Sequence, residues 1–555
     1  MPRATLKPGT VIFLVVFLVG FAFVAYTQRA WEDYWITFRA SRNLATGQGL
    51  VFTPGERLHT FTSPLGVLIP AALSWLTGNG SEELILWLFR LVSLAMLAGG
   101  VATLYSVLEH LGLRKVTIFF TLALVTLDSK TIDFSTNGME TGIWIYFLAL
   151  TLHGMLVPGA RQLWRAGLGW AGLMWTRPDS CIYIAGLAAG ALLFLREQAA
   201  DAPRLKAWSK AWSKLFWAGV ICVLVYLPWF VWAWWYYGTP VPNTIAAKGT
   251  NMAPLSLATL GENAVLLPFQ CLLNLGTSIW WTMMPAYARA DTWPALPTEV
   301  AMVAAWVAAL AWLCPLCRPQ ARMMSFCVYM VHFFLTDVVR HFYPWYLPAV
   351  ACLSWLTLGI LFDQLLGFSE QLPQLGWDRG WLRQARPALF AAAAGVLVSQ
   401  VVLTVNVARC AQVQQRMIED SVRRPIGIWL HDHASSPQDT VMLEPLGYIG
   451  YYSGLKMYDY PGLCSKEMVA VRKKLGPQHE REAYLELKPD WLVLRPYEAA
   501  GMSFIDTTHL TEYYDLVAVF DVSDQVSALK WPAPANLISD AKFLIFHRKP
   551  AEKAR

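Results

Sequence analysis

Long apolar runs without charged side chains recur through the first 407 residues of this 555-residue chain. A helix that crosses the hydrocarbon core of a bilayer needs about 17–25 such residues, so runs of this length indicate membrane spans. Only 15% of the residues are charged, against about 25% in an average soluble domain. These features predict a mainly α-helical, polytopic membrane protein.

Eleven spans are predicted from these runs. They cover residues 11–28, 84–108, 115–128, 139–157, 163–177, 180–195, 214–237, 298–316, 323–338, 343–362 and 387–407. The apolar stretch from Val265 to Met284 is left out, because counting it would place Arg318 and Arg322 outside the cell. We therefore expect this stretch to lie horizontally or to re-enter the membrane.

Basic residues follow alternate spans, as the positive-inside rule requires when the N-terminus is cytoplasmic. Examples are Arg114 and Lys115 after the second span, and Arg161 and Arg165 after the fourth. The same rule accounts for the net charge of +6, so no nucleic-acid partner is predicted. Because eleven is odd, the C-terminal segment is expected outside.

The composition changes near Ala408, where charged residues become frequent and the apolar runs shorten. Alternating and β-branched runs at 439–443, 491–494, 514–522 and 541–547 are typical of strands. A helix is expected at 465–475. The chain is therefore divided into a transmembrane domain, residues 1–407, and a soluble extracytoplasmic α/β domain, residues 408–555, which we call the tail.

Two of the nine cysteines, Cys410 and Cys464, lie in the tail. Disulfides persist outside the cytoplasm, so a bridge between these two residues is predicted. Two independent buried thiols, or a bridge to Cys271, are the alternatives. The pair Cys314 and Cys317 has no second pair to complete a metal or redox site.

Ionisable side chains gather at the outer ends of the spans. A carboxylate there can act as a general base, and two adjacent carboxylates can bind a divalent cation. Arginine binds phosphate through a planar fork of donors. The acids are Glu32 and Asp33, and the bases are Arg39, Arg177, Lys248, Arg340 and His341. Together they predict an outward-facing site for transfer from a lipid-linked phosphate.

Several of these residues also have a structural interpretation. Arg177 can simply pair with Asp179, and Glu140 can complement the dipole of the helix that follows it. Adjacent acids are common in polar juxtamembrane loops, and basic residues often anchor a helix at the interface. The residues open to these alternatives are Glu32, Asp33, Lys248, Arg340 and His341.

Six segments between Glu32 and Leu463 occur in the same order as similar segments of a known protein family. They are "EDYWITFRASRNLATGQGLVFTPGERLHTFTSPL", "NGMET", "TRPD", "PNTIAAK", "RHFYP" and "LGYIGYYSGLKMYDYPGL". The set resembles GT-C-type polytopic glycosyltransferases, and most of all the polyprenyl-phosphate-arabinose-dependent arabinofuranosyltransferases. The chain departs from the family pattern at two places. Glu32 stands where the family usually has Asp, and the late acid before the segment "RHFYP" is displaced, since Asp337 lies three residues before Arg340.

The resemblance implies a bacterial inner-membrane enzyme whose site and tail face the periplasm. The donor would be a polyprenyl-phosphate sugar, with arabinofuranose as the sugar that the resemblance implies, and the acceptor would be a glycan or a protein such as pilin. Asp33 would deprotonate the acceptor hydroxyl with Glu32 beside it, and no cofactor is implied apart from the divalent cation considered above. The implied phosphate-binding residues are Arg177, Arg340, His341, Arg39 and Lys248. The implied substrate-binding residues are Glu140, Asp179, Asn243, Trp35 and Tyr34.

A transporter or flippase of a lipid-linked sugar is the alternative function. Such proteins show internal repeats and polar residues near the bilayer midplane. No repeat is found here, and the charged residues gather at the outer edge instead. The sequence therefore favours an enzyme.

Overall fold

The computed structural model describes residues 6–195, 204–248, 279, 281–284, 295–335, 343–371, 385–476, 482–503, 510–529 and 535–550. A helix lies at each of the eleven predicted spans. The helices of the first 414 residues are Pro8–Thr27 (α1), Glu32–Ala45 (α2), Pro64–Leu76 (α3), Glu82–His110 (α4), Lys115–Leu127 (α5), Ser129–Thr136 (α6), Thr141–Leu156 (α7), Gln162–Thr176 (α8), Ser180–Phe194 (α9), Arg204–Tyr237 (α10), Asn243–Lys248 (α11), Ala295–Leu310 (α12), Pro319–Phe333 (α13), Leu347–Gln371 (α14) and Ala385–Gln414 (α15).

Within the described residues, six helical segments are long and apolar enough to cross a membrane by themselves. They are Pro8–Thr27, Glu82–His110, Ala211–Tyr237, Leu296–Leu313, Pro344–Glu370 and Arg386–His433. Four further apolar helices, α3, α5, α7 and α9, are shorter. The protein is therefore a multi-pass membrane protein, as the hydropathy predicts. Most of the segment expected to lie horizontally, 265–284, is outside the described residues.

The membrane helices pack closely where small residues allow it. Gly142 in α7 faces Ser93 in α4, and a Cβ at Gly142 would lie 2.6 Å from the Ser93 Oγ. No side chain fits at such a distance, so glycine permits the two backbones to approach. Packing through small residues is the usual way in which membrane helices associate.

The connection between the first two predicted spans contains two helices, α2 and α3. Helix α2 buries Tyr34 and Phe38, whose rings stack with centroids 5.3 Å apart. Glu32 and Asp33 occupy the first turn of α2, where negative charge complements the helix dipole. Ser63 caps α3 by accepting a hydrogen bond from the Gly66 N–H at 2.9 Å. Aromatic burial and favourable helix ends therefore outweigh the polar composition.

The tail contains a mixed five-stranded sheet with the order β2-β1-β3-β5-β4. Its strands are Thr440–Leu443 (β1), Lys456–Asp459 (β2), Trp491–Leu494 (β3), Tyr514–Asp521 (β4) and Lys542–Arg548 (β5). Its helices are Arg424–His433 (α16), Gly447–Ser453 (α17), Lys466–Leu475 (α18), Ala483–Leu487 (α19), Pro496–Ser503 (α20), Leu510–Tyr513 (α21), Ser523–Ser527 (α22) and Ala535–Ser539 (α23). Strand β1 pairs in parallel with β2 and β3, while β5 is antiparallel to β3 and β4.

Four of the five strands and helix α18 match the sequence prediction, and β2 was not predicted. The last membrane helix does not end at residue 407. A π-helical segment, Gln415–Arg423, joins α15 to α16, so the helix passes through the predicted domain boundary into the tail. A rigid connection of this kind fixes how the tail leaves the membrane.

The predicted disulfide is wrong, because both Cys410 and Cys464 are free thiols. Cys410 lies near the end of α15, where its neighbour is Arg29. Cys464 is buried in the core of the tail, where its N–H donates to Asp459 at 2.8 Å. Each thiol belongs to a different part of the fold, and burial alone explains Cys464.

Candidate active site

A small cavity of about 70 Å³ lies where the start of α2 meets the ends of α8 and α11. Its polar lining includes Asp33, Glu140, Arg177 and Lys248, and its apolar lining includes Tyr346. A volume of this size is below the roughly 300–1,000 Å³ of a typical small-molecule pocket. The described residues thus enclose a space with room for a water or a hydroxyl group.

Asp33 presents a carboxylate to this cavity from the first turn of α2. Burial raises the pKa of Asp33, while the positive charges of Lys248 and Arg177 act in the opposite direction. A carboxylate with a raised pKa that remains close to two cations is suited to accept a proton. Because Asp33 lines the cavity and Glu32 does not, Asp33 is the candidate base of the two adjacent acids.

Arg177 is held in place on all sides. Its Nε donates to the Asp179 Oδ1 at 3.1 Å, and its Nη1 donates to the Glu140 Oε1 at 3.2 Å. The rings of Trp144 and Tyr346 lie 5.4 and 4.8 Å from the Arg177 Cζ. Arg177 and Glu140 are both buried, so removing either one would leave the charge of the other uncompensated. The sequence left open whether Arg177 pairs with Asp179. In the structure, Arg177 pairs with Asp179 and with Glu140 at the same time.

The conformation of Arg177 follows from the proline after it. Arg177 has φ −154° and ψ 124°, the extended geometry that a residue before proline adopts. Pro178 therefore ends α8 and turns the arginine side chain into the cavity. Asp179 starts the next helix, so the motif "TRPD" places an arginine and its carboxylate partner at one helix junction.

Lys248, at the end of α11, has its ammonium 4.6 Å from the ring centre of Tyr343 and 5.7 Å from that of Trp345. The two rings stack on each other with centroids 4.5 Å apart. Burial lowers the pKa of Lys248, whereas the negative charge of Asp33 raises it. The lysine thus supplies a positive charge at the aromatic wall of the cavity.

Two threonine hydroxyls in the cavity were missed by sequence reasoning. Thr60 and Thr244 both line it, and their buried Oγ1 atoms have no hydrogen-bond partner among the described residues. A buried hydroxyl without a partner costs free energy, so such atoms commonly mark a place where a ligand or water binds. Both residues lie in segments that resemble the family, "HTFTSPL" and "PNTIAAK". This resemblance is the sequence signal from which the two threonines could have been identified.

Asn243, which was predicted to contact the substrate, holds a loop of the tail at the site. Its Nδ2 donates to the Gly462 oxygen at 2.8 Å and to the Leu463 oxygen at 3.0 Å. The loop that carries these oxygens is held by Asp459, which accepts hydrogen bonds from the N–H groups of Leu463 and Cys464. Leu463 itself lines the cavity, so the tail contributes to the site.

Glu32 is directed away from the cavity, which contradicts its assignment beside the base. Its Oε2 lies 2.8 Å from the Arg423 Nη1, and its Oε1 accepts from the Gly447 N–H at 3.0 Å. Arg423 also pairs with Glu419 and Asp540. Glu32 thus joins a buried ion network between α2 and the tail.

Arg39, which was predicted to bind phosphate, is bound by backbone oxygens of the tail. Its guanidinium donates to three backbone oxygens, those of Gly450, Gly454 and Leu455, at 2.6, 2.7 and 3.0 Å. These carbonyls lie at the end of α17, where a helix leaves its last oxygens unpaired. Arg39 therefore caps a tail helix, and it does not line the cavity at Asp33.

Tyr34 and Trp35 are packing residues, which contradicts their assignment to substrate. Both are buried, and neither lines the cavity. Trp35 packs among Tyr448, Tyr451 and Tyr452 of the tail, with ring centroids 4.8–5.3 Å apart. These rings form an aromatic interface between α2 and α17.

Arg340 and His341, predicted to bind phosphate, lie outside the described residues. The described site then carries three carboxylates, Asp33, Glu140 and Asp179, and two cations, Arg177 and Lys248. Within the described part of the chain, no group of three acidic, histidine or cysteine side chains is arranged to hold a metal ion.

Solved structures share this architecture. The chain resembles the oligosaccharyltransferase of Archaeoglobus fulgidus with a TM-score of 0.53, at 11% identity over 92% of this chain and 72% of that chain. It resembles ArnT from Cupriavidus metallidurans in the apo state with a TM-score of 0.51, at 14% identity over 98% of both chains. The chain has the GT-C fold. The fold expected from the family-like segments is thereby confirmed.

Relatives of this GT-C chain are also found by sequence. A terminal beta-(1->2)-arabinofuranosyltransferase of Corynebacterium glutamicum is 30% identical over 272 residues, which cover 43% of this chain and 36% of the relative. The enzyme of the same name from Mycobacterium tuberculosis is 27% identical, over 40% of this chain and 35% of the relative. The match thus spans little more than a third of the length of either relative. Residues 409–543 match a family described as a domain of unknown function (DUF8728).

Proposed function

We propose that this chain is a glycosyltransferase that moves arabinofuranose from a polyprenyl-phosphate donor to an acceptor hydroxyl on the periplasmic side of a bacterial inner membrane. The observation that carries the proposal is the Asp33 carboxylate, which faces a buried cavity together with Arg177 and Lys248. The acceptor would be a glycan or a protein, with pilin as one candidate.

The proposed reaction needs one group that acts as a base and other groups that bind the phosphate. Asp33 takes the proton of the acceptor hydroxyl while the hydroxyl oxygen attacks the anomeric carbon of the donor. The bond between that carbon and the phosphate oxygen breaks, and the phosphate leaves on its lipid with the bonding electron pair. Groups that stabilise the growing charge on the phosphate then lower the barrier.

Arg177 is suited to this second task. Its Nε and Nη1 are bound to carboxylates, and its Nη2 has no hydrogen-bond partner among the described residues. That donor is free for a phosphate oxygen, and Lys248 adds a second positive charge. Because three carboxylates surround these two cations, a dianionic phosphate needs further positive charge. We expect Arg340 and His341 to provide it.

The relatives support the donor class. Both sequence relatives are named arabinofuranosyltransferases. The archaeal oligosaccharyltransferase AglB, which this chain resembles with a TM-score of 0.52, has been solved in complex with an inhibitory peptide and a dolichol-phosphate. A lipid phosphate donor therefore agrees with the fold and with the sequence relatives.

The test is to incubate the full-length protein in lipid nanodiscs with synthetic polyprenyl-phosphate arabinofuranose and an arabinofuranose oligosaccharide. Release of free polyprenyl phosphate together with a lengthened oligosaccharide is expected. Asp33→Asn should lower the rate by about 10²–10⁴-fold, the usual loss when a general base is removed. Asp432→Asn, at an exposed position of α16, is the matched control and should leave the rate unchanged.

Two outcomes would contradict the proposal. Normal turnover by the Asp33→Asn variant would exclude Asp33 as the base. Movement of the intact donor lipid across proteoliposome membranes without any transfer to an acceptor would instead favour the flippase.

A further inference from the structure

A cavity of about 390 Å³ lies between the first and the last membrane helices, α1 and α15, at the end of the bundle from which the tail leaves. The end of α5 and helix α6 complete its walls. Among the described residues, none that lines it also lines the cavity at Asp33. We call it the α1–α15 groove. Its apolar lining includes Val19, Ala22, Leu127, Ile132, Val401 and Val405.

The inner wall of the α1–α15 groove offers only hydrocarbon to a ligand. Its one polar side chain below the rim, among the described lining residues, is Thr404, whose hydroxyl donates to the Leu127 oxygen at 2.6 Å. The Gln400 amide donates to the same oxygen at 2.8 Å. These contacts pair a carbonyl at the end of α5, where a helix leaves its last oxygens without partners. A ligand inside the groove must therefore be apolar.

Two polar side chains stand at the rim of the α1–α15 groove. Arg409 lies two residues beyond the predicted end of the last span, and Tyr26 lies two residues before the predicted end of the first. Both are exposed, and among the described residues neither the Arg409 guanidinium nor the Tyr26 hydroxyl has a hydrogen bond or an ion pair. Tyrosine and arginine at the ends of spans lie at the level of the lipid headgroups. The groove thus joins an apolar interior to an unpaired cation at headgroup level.

We propose that the α1–α15 groove binds an anionic phospholipid of the surrounding membrane. One acyl chain lies in the groove, and the headgroup phosphate lies on Arg409. The planar fork of arginine donors suits a phosphate, and the Tyr26 hydroxyl can donate to a phosphate or ester oxygen. This site is separate from the candidate active site, and the inference does not depend on the proposed reaction.

The size of the α1–α15 groove argues against two other occupants. A helix with its side chains is about 10 Å wide, so a single helical turn fills about 420 Å³, which is more than the whole groove. A transmembrane helix of a partner protein therefore does not fit. A free inorganic phosphate could bind Arg409, but it would make no use of the apolar walls.

The donor lipid of the proposed reaction also carries a phosphate on an apolar chain, but its phosphate is expected at Arg177. Helix α6 lies between the two places. It contributes Ile132 to the α1–α15 groove, whereas its Phe134 packs with Met139, which lines the cavity at Asp33. A phosphate on Arg409 is thus on the other side of α6 from the candidate active site. It therefore belongs to a second lipid molecule.

Binding can be measured by native mass spectrometry of the full-length protein in detergent, titrated with one lipid at a time. The probes are dioleoyl phosphatidylglycerol, dioleoyl phosphatidylcholine and polyprenyl phosphate. Arg409→Gln removes the charge at the rim, and Ala22→Phe places a ring in the groove from an exposed position. Arg161→Gln and Ala392→Phe change exposed residues that do not line the groove, so they are the matched controls.

The unmodified protein and both controls should bind one phosphatidylglycerol more tightly than phosphatidylcholine. The Kd of phosphatidylglycerol should rise about fivefold in Arg409→Gln, the change expected for one basic residue at an anionic lipid. It should rise about tenfold or more in Ala22→Phe, because the ring excludes several methylene groups of the chain.

An unchanged Kd of phosphatidylglycerol in either variant would overturn the inference, and so would equal binding of the two phospholipids by the unmodified protein. Weaker binding of polyprenyl phosphate by Arg409→Gln or Ala22→Phe would overturn it too, because the groove would then hold the donor lipid. If the phospholipids bind as expected while no sugar transfer is detected, the lipid site stands and only the proposed function fails.

Discussion

Replacing Gly447 with alanine should disturb the contact between the tail and the helix that carries Asp33. Gly447 begins α17, and its N–H donates to the Glu32 Oε1 at 3.0 Å. A Cβ at Gly447 would lie 2.5 Å from the Glu32 Cγ and 2.7 Å from the Glu32 carbonyl carbon, with the carbonyl oxygen nearer still. Because the nearest atoms belong to the backbone, either α17 or the start of α2 must move.

The size of the effect follows from these contacts. Forcing a methyl group into a filled interface costs about 1–3 kcal/mol, and weakening a hydrogen bond to a charged group costs about 1.5–3 kcal/mol. We therefore expect the variant to lose about 3 kcal/mol of stability. Since Asp33 follows Glu32 directly, a displacement of about 1 Å at this point can also slow catalysis by about 10²-fold.

Thermal unfolding of the full-length protein, followed by tryptophan fluorescence, and the arabinofuranose transfer assay measure the two effects. Gly395→Ala is the matched control, because a Cβ at Gly395 meets no atom within 4 Å and the residue lies inside helix α15. Alanine favours a helix over glycine, so the control should be as stable as the original protein or slightly more so. If both variants have the same Tm and the same rate, the reasoning about this interface is refuted.

Three further predictions concern the site and the thiols. Arg177→Lys should weaken donor binding about tenfold or more. The lysine ammonium is a point charge, which cannot bind both carboxylate partners of Arg177 and also offer a planar donor to phosphate. Lys248→Met should move the acidic limb of the pH profile of kcat/KM to higher pH, because it removes a positive charge that lowers the pKa of Asp33. Thiol labelling of the denatured, unreduced protein should modify both Cys410 and Cys464 fully.

Controls make these results specific. Arg161→Lys and Lys466→Met change exposed residues of the same types and should leave binding and the pH profile as they were. An acidic limb that stays in place in the Lys248→Met variant would show that Lys248 does not act on the base. Protection of Cys410 and Cys464 from labelling, reversed by reductant, would restore the disulfide prediction.

The membrane helices could be predicted from the sequence because the bilayer imposes a simple rule. Every backbone group inside the hydrocarbon must be paired, so long apolar runs have to be helices. The local chemistry of Arg177 was also accessible, since a proline after an arginine predicts an extended residue at a helix end. Both inferences depend only on residues that are neighbours in the sequence, and for that reason they agree with the structure.

The assignment of Arg39 could not be made in this way. An arginine near two acids and an outer membrane surface looks like a phosphate ligand. Its actual partners, the carbonyls of Gly450, Gly454 and Leu455, are more than 400 positions away in the chain. Glu32 was misjudged for the same reason, because its partner Arg423 is almost as distant in the chain. No pattern within a segment shows which distant segment it will pack against.

These distant contacts explain why family-like segments occur at both ends of the chain. The π-helical segment places Gln415 and Arg423 beside the residues that precede Asp33. Gln415 accepts a hydrogen bond from the Ala30 N–H at 2.9 Å, and Arg423 pairs with Glu32 at 2.8 Å. The helix that leaves the membrane thus contacts the chain on both sides of Trp31, immediately before Asp33. The position of Asp33 therefore depends on the tail as much as on the membrane helices, and a truncation that removes the tail would leave the start of α2 without these partners.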